Sequence, residues 1–351
     1  MPLVAHNDLP AFARLKDEGV TVLSRERAGT QVIRELHVGL LNMMPDAALE
    51  ATERQFFRLI GESNPIAQFY VHPFTIPALL RGEAGQAHVD EYYESFGQIR
   101  EQGLDALIIT GANVSHADLS EEPFWQPLIE VIDWAWENVT STLCSCLATH
   151  AVMQFRHGQK RVKQPHKIWG VFEHCVTDKH HPLVSDINTR FDVPHSRWND
   201  ISRAQFEAAG LHVLAESDEA GVHLAVSEDG LRTVFFQGHP EYDTVSLLKE
   251  YKRDRLLEAA GKLTSPVPFP AHYFDRFSRS VLGEYGDRLK AGEQAMFPEN
   301  LLLNRLDNTW HDTAEGVVGN WIGCVYQVTH SERSKPFMPG INPVDPLGLY
   351  G

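Results

Sequence analysis

Val139-Thr140-Ser141-Thr142-Leu143-Cys144-Ser145-Cys146-Leu147-Ala148 reads as a short strand running directly into a helix. The strand is Val139 to Ser145, and Leu147 to Phe155 is compatible with a helix. A turn that tight needs small neighbours, and the pattern is that of a nucleophile elbow with cysteine in place of serine. There Cys146 sits at a helix N-terminus, where the partial positive charge of the helix favours thiolate. The next backbone N–H, that of Leu147, faces a developing oxyanion.

The same alternation extends on both sides. Leu36 to Asn42 is a short apolar run that stops at Pro45, followed by Ala47 to Ile60 with Leu49, Phe56 and Ile60 on one helical face. Leu104 to Thr110 is closed by Gly111 and followed by Glu122 to Glu137, with Leu128, Val131, Ile132 and Ala135 at helical spacing. Thr233 to Gln237 ends at Gly238 ahead of a helical stretch from about Thr244 to Ala260. Alternating apolar strands and helices predict an α/β fold, a mainly parallel sheet flanked by helices.

Residues 1–34 are weakly periodic and read as an N-terminal arm on the surface or on a partner subunit. Residues 35–329 read as a single α/β domain, in which the stretch from about 262 to 316 lacks a clear period and wraps the core. Residues 330–351, with Pro336, Pro339, Pro343 and Pro346, read as a C-terminal tail open to disorder. There is no internal repeat.

The 351 residues are 43 % hydrophobic, enough for a sizeable core. Thirty-one Lys and Arg against 47 Asp and Glu give a net charge of −16, which repels polyanions and argues against nucleic-acid binding. No basic-then-apolar leader and no run of about 18 apolar residues is present, so a soluble cytoplasmic protein without membrane partners is expected. In that reducing compartment the four cysteines are free thiols.

Ligands of open α/β sheets bind beyond the carboxyl ends of the strands, so the residues after each strand carry the chemistry. Gly238-His239-Pro240-Glu241 follows one of them, and the proline biases His239 toward extended geometry. Residues two apart then point the same way, which lets Glu241 orient His239 as a general base toward Cys146. Gly111-Ala112-Asn113 after another strand completes the oxyanion pocket. Cys144 is a rival nucleophile, but with Cys146 at the turn it falls inside the strand. Cys175 with His174, His180 and His181 matches no standard zinc spacing, and no metal site is expected. Lys160, Arg161 and Lys163 form a local basic patch on an acidic protein.

Leu41-Asn42-Met43-Met44-Pro45, Thr110-Gly111-Ala112, Ser141-Thr142-Leu143 leading to Cys146, Gly170-Val171-Phe172-Glu173-His174, Pro194-His195-Ser196-Arg197 and Gly238-His239-Pro240-Glu241-Tyr242-Asp243 occur in that order. Together they resemble the homoserine O-acyltransferases of methionine biosynthesis, of the homoserine trans-succinylase type, from about residue 1 to about residue 329. The resemblance implies a flavodoxin-like fold shared with class I glutamine amidotransferases. It also implies ping-pong chemistry, in which Cys146 takes the acyl group of succinyl-CoA as a thioester and passes it to the hydroxyl of L-homoserine. His239 serves both half-reactions and Glu241 orients it. Lys167, Ser196 and Arg253 fall on the family's substrate positions, with Arg253 as a clamp on the amino-acid carboxylate.

The resemblance further implies a homodimer and no cofactor, acyl-CoA being a co-substrate. At the position that selects the donor in this family, glutamate goes with acetyl-CoA and glycine with succinyl-CoA. Ser115 stands there, and its lack of charge favours succinyl. Asp46-Ala47 replaces the lysines that usually follow Met-Met-Pro, leaving Lys160, Arg161 and Lys163 as the expected contacts for CoA phosphates. The alternatives are the same transfer from acetyl-CoA, an amidotransferase-like cysteine hydrolase, and a non-catalytic binding protein.

Overall fold

Strands with apolar residues on both faces need cover on both sides, and the central strands have it. In the computed structural model, which describes residues 3–63, 67–263, 265–293 and 295–350, eleven strands form one sheet. They are β1 (Leu3–Ala5), β2 (Val22–Ser24), β3 (Glu35–Leu41), β4 (Gln68–Phe74), β5 (Ala106–Ile109), β6 (Ser141–Ser145), β7 (Val162–Val176), β8 (Arg190–Asp200), β9 (His212–Ser217), β10 (Gly221–Val226) and β11 (Thr233–Phe236). Their order across the sheet is β2-β1-β4-β3-β5-β6-β11-β10-β9-β7-β8. Pairing is parallel from β2 to β11 and antiparallel from β11 to β8. The expected mainly parallel sheet flanked by helices is present, with an antiparallel extension on one side.

Alternation along each strand separates two cores. Leu36, Val38, Leu40, Ala106 and Ile108 face one side, where Phe56, Phe57 and Ile60 of the helix Asp46–Ser63 pack with Val317, Trp321 and Val325 of the helix His311–Val328. Leu41, Leu107 and Ile109 face the other, under Leu128, Val131 and Ile132 of the helix Trp125–Asn138 and Ala148, Ala151 and Val152 of the helix Leu147–His157. Trp169, Leu247, Tyr251, Phe274 and Trp310 build a third, smaller core around the helix Ser246–Ala259.

Three expectations are corrected. Residues 3–34 of the expected arm belong to the domain: β1 pairs with β2 and with β4, and Leu3, Leu9, Phe12 and Leu15 are buried in the main core. Strands of three residues are too short for a period-two pattern to register. The stretch from 262 to 316 contains a fifteen-residue helix, Arg276–Lys290, capped by Asp275 accepting from the Ser278 amide at 2.7 Å. The expected tail is irregular, but Phe337, Ile341 and Leu347 pack against the main core. It is also stitched to the domain by the Met338 amide donating to Val328 O at 3.0 Å and the Thr140 hydroxyl donating to Pro336 O at 2.5 Å. Prolines break its periodicity without preventing burial.

Candidate active site

β6 and β11 lie side by side and parallel, with Phe236 in register with Ser145. Cys146 and the segment that begins at Gln237 therefore leave the sheet at the same edge. Cys146 has φ +52° and ψ −103°, a left-sided backbone that a side-chain-bearing residue adopts only under constraint. Its amide donates to Phe236 O at 2.7 Å. The Thr149 hydroxyl lies 2.9 Å from both Cys144 O and Phe236 O, tying the two strand ends to the helix Leu147–His157. Cys146 thus occupies the N-cap of that helix, with the Leu147 amide next in the chain. Cys144 lies inside β6 and is fully buried, and burial pushes its thiol up, away from the reactive thiolate form.

His239 is held from three directions. Its amide donates to Pro194 O at 2.7 Å, its ring stacks on Tyr242 with centroids 4.4 Å apart, and its Nδ1 lies 2.8 Å from Glu241 Oε1. With Nδ1 engaged by the carboxylate, Nε2 is left for the Cys146 side chain, with which the ring interacts. Burial opposes protonation of His239, but the Glu241 carboxylate and the Cys146 sulfur outweigh it and hold its pKa well above the ordinary value. Cys146, His239 and Glu241 therefore lie together at this edge of the sheet.

The turn bearing His239 rests on a set of buried histidines. His174 Nδ1 lies 2.8 Å from Phe172 O, so this nitrogen carries the hydrogen. The Arg197 Nε–H donates to His195 Nδ1 at 3.2 Å, which places the hydrogen of neutral His195 on Nε2, 3.2 Å from His174 Nε2. Burial, joined by the nearby Arg197 charge, holds both rings well toward the neutral form, as this pattern requires. A Cβ on Gly238 would come within 2.8 Å of His195 Nε2, so glycine is what allows the turn to sit against that ring.

Lys167 and Ser196 meet at a residue that the sequence reading did not single out. The Glu250 Oε2 atom lies 3.2 Å from Lys167 Nζ and accepts from the Ser196 hydroxyl at 2.6 Å. Its Oε1 accepts from the Tyr242 hydroxyl at 2.8 Å. Burial alone would raise the Glu250 pKa, but Lys167, Ser196 and Tyr242 lower it more and keep the carboxylate charged. Lys167 also sits over the Trp169 ring at 4.3 Å. Lys167 and Ser196 come from the paired strands β7 and β8, and Glu250 from the helix Ser246–Ala259. The available signal was the spacing of Glu250 three residues before Arg253, one turn along the same helix face.

Arg253 stands apart from this cluster. Its Nε–H donates to Asp254 at 2.7 Å, and its side chain is 60 % exposed. It lines a cavity of about 910 Å³ together with Lys167, Trp169, Phe172 and Trp198.

Beyond β5, a Cβ on Gly111 would lie 3.9 Å from the Cys146 Cβ, which places the Gly111-Ala112 backbone against the thiol-bearing residue. Ser115 is further out and exposed. Its amide donates to Glu122 at 2.6 Å, and the His116 amide donates to the same oxygen at 2.7 Å. These bonds outweigh the effect of burial and hold the Glu122 carboxyl below its usual range. The basic patch braces the same loop: Lys160 Nζ is 2.5 Å from Asp118 Oδ2, and Arg161 donates to His116 O at 2.8 Å. Neither Glu122 nor its loop contacts stood out in the sequence. Among the described residues no helix is long and apolar enough to cross a membrane.

Comparison with known proteins places the chain in a family. The homoserine O-succinyltransferase of Thiobacillus denitrificans is 74 % identical over 349 residues, covering 99 % of this chain and 100 % of its own. That of Allochromatium vinosum is 65 % identical over 354 residues and covers 99 % of each chain. Among solved structures, a glutamine amidotransferase from Thermotoga maritima aligns with 83 % of this chain and 98 % of its own, at 11 % identity and a TM-score of 0.45. The family model described as homoserine O-succinyltransferase matches residues 2–331, and the chain belongs to that family.

Proposed function

We propose that this protein transfers the succinyl group of succinyl-CoA to the hydroxyl of L-homoserine, a step of methionine biosynthesis, through a thioester on Cys146. The observation that carries the mechanism is the Cys146–His239–Glu241 arrangement: a cysteine in a strained turn beside an imidazole whose remote nitrogen is 2.8 Å from a carboxylate. In the first half-reaction the Cys146 thiolate attacks the thioester carbonyl of the donor. The oxyanion of the tetrahedral intermediate is met by the amides of Leu147 and Ala112. The carbon–sulfur bond to CoA breaks, and the departing thiolate takes the proton held by His239.

In the second half-reaction neutral His239 accepts the proton of the homoserine hydroxyl as its oxygen attacks the Cys146 thioester. O-succinylhomoserine leaves, Cys146 returns to thiolate and His239 to imidazolium, balanced by Glu241. Lys167, Ser196 and Arg253 receive the amino acid, with Glu250 holding the first two in place. Ser115, uncharged, leaves room for the succinyl carboxylate. The reaction needs no cofactor. A cytoplasmic location belongs to the same reading, and the homodimer in it rests on the family resemblance.

The test is intact-protein mass spectrometry after brief exposure to succinyl-CoA, with peptide mapping and a homoserine chase. A succinyl adduct on Cys146 that disappears in the chase is expected. Absence of an adduct, or an adduct on another residue, would overturn the mechanism.

A further inference from the structure

Far from the thiol, at the edge of the sheet where β1 meets β4, lies a second cluster of titratable side chains. His6 follows β1, and its Nδ1 lies 3.2 Å from Val4 O. A carbonyl only accepts, so Nδ1 carries the hydrogen and Nε2 presents a lone pair. That Nε2 is buried and has no hydrogen-bond partner among the described residues. An unsatisfied buried nitrogen is costly. The His72 ring lies 4.8 Å from the His6 ring, centroid to centroid, and His72 Nδ1 is 2.5 Å from Glu94 Oε1. One ligand atom from each of His6, His72 and Glu94 lies within 4.8 Å of the other two.

Each histidine is also oriented as a metal ligand would be. Coordinating histidines donate their second N–H to a neighbouring acceptor, which sets the tautomer. His6 uses Nδ1 on Val4 O. His72 Nε2 lies 2.9 Å from His37 Nδ1, and His37 Nε2 lies 3.4 Å from Glu35 Oε2. Without an ion the His72 Nδ1–H donates to Glu94; with the hydrogen moved to His72 Nε2, followed by one on His37 Nε2, the chain ends on a carboxylate and His72 Nδ1 can coordinate beside Glu94.

The other group of similar composition, Glu62, His311 and Glu315, lacks this feature. Both His311 nitrogens face carboxylates, at 3.3 and 2.8 Å, and those bonds raise its pKa to about 9, so it is an imidazolium with no lone pair to offer.

We propose that His6, His72 and Glu94 bind one divalent transition-metal ion, zinc by the chemistry of two imidazoles and a carboxylate, which clamps the N-terminal strand β1 onto β4. Water completes the tetrahedron. The ligands come from three separate segments, so the ion acts as a cross-link between β1, β4 and the loop bearing Glu94. This site is independent of the acyl-transfer reading, whose chemistry uses none of these residues.

The test uses the full chain, stripped with EDTA and with its accessible thiols blocked by iodoacetamide, titrated with zinc against a chromophoric chelator. Wild type is expected to bind one equivalent more than His6→Gln, or to bind it at least about tenfold more tightly. Zinc should raise the melting temperature of wild type only. Glu94→Gln, which leaves β1 unaltered, should show the same loss and covers the case in which the His6 variant folds poorly. Equal zinc affinity and stoichiometry in wild type and Glu94→Gln would overturn the proposal, as would a wild-type melting temperature indifferent to zinc.

Discussion

The Ser196 hydroxyl donates to Glu250 at 2.6 Å, although 54 residues separate them in the chain. Lys167 reaches the same carboxylate oxygen from the neighbouring strand, and Tyr242, stacked on His239, reaches the other. Glu250 therefore joins Lys167 and Ser196, the residues proposed to receive homoserine, to Tyr242, on which the His239 ring stacks. Replacing it with glutamine keeps the shape and removes the charge. A charge-assisted hydrogen bond contributes about 1.5–3 kcal/mol, or roughly 10–100-fold in rate. Glu250→Gln should lower kcat/KM for homoserine by that factor while the rate of Cys146 acylation by succinyl-CoA, read by rapid-quench mass spectrometry, stays close to wild type. An equal loss in both half-reactions would place Glu250 elsewhere in the mechanism.

The two neighbouring cysteines should separate cleanly. Cys144 is buried in β6 and Cys146 sits in the strained turn. Cys144→Ala should retain turnover at some cost in melting temperature, whereas Cys146→Ala should have none. Cys146→Gly should also be inactive, yet more stable than Cys146→Ala by about 1 kcal/mol, because glycine adopts positive φ without strain. Urea denaturation of the two variants measures that difference.

His239 is raised well above 6.5, so it binds its proton more tightly folded than unfolded. The stabilisation from this protonation is complete below about pH 6.5 and is lost as pH rises through the folded value. Glu241 is the strongest of the groups that raise it. In Glu241→Gln the folded pKa should fall, and the decline in stability on the alkaline side should begin at lower pH. Histidine NMR titration of the two proteins checks the shift, and an unchanged His239 titration would refute the role given to Glu241.

Ser115 and the buried Glu122 carboxylate share a loop, joined through the Ser115 amide at 2.6 Å. In the proposed reaction, a carboxylate at residue 115 adds a second negative charge beside the path of the succinyl carboxylate. At about 5 Å and an effective dielectric near 20, two unit charges repel by about 3 kcal/mol. Ser115→Glu should lower the ratio of succinyl-CoA to acetyl-CoA turnover at least about tenfold. Competition assays with both donors read the ratio directly.

Much of this was legible because it is local. Short apolar runs ending at Gly111, Cys146 and Gly238 mark β5, β6 and β11; the His239–Glu241 pair was expected from extended geometry, and its 2.8 Å contact is made instead in a turn closed by the Tyr242 amide donating to His239 O at 3.1 Å. The Leu143-to-Ala148 turn likewise encodes the cap position of Cys146.

What lay outside local pattern was decided by strand order. The three-residue strands β1 and β2 carry no readable period, and the sheet edge offered by β4 makes them part of the domain. Glu250 was not singled out in the sequence, and it is the β7–β8 pair that brings Lys167 and Ser196 to it. His6, His72 and Glu94 likewise meet only because β1 returns beside β4. Sequence by itself determined the periods, the turns and the short-range pair at the thiol, since these depend on backbone preferences over a few residues. Tertiary structure alone decided which distant side chains share a buried volume, because that depends on long-range burial of apolar faces, and desolvation then gives each polar contact its strength.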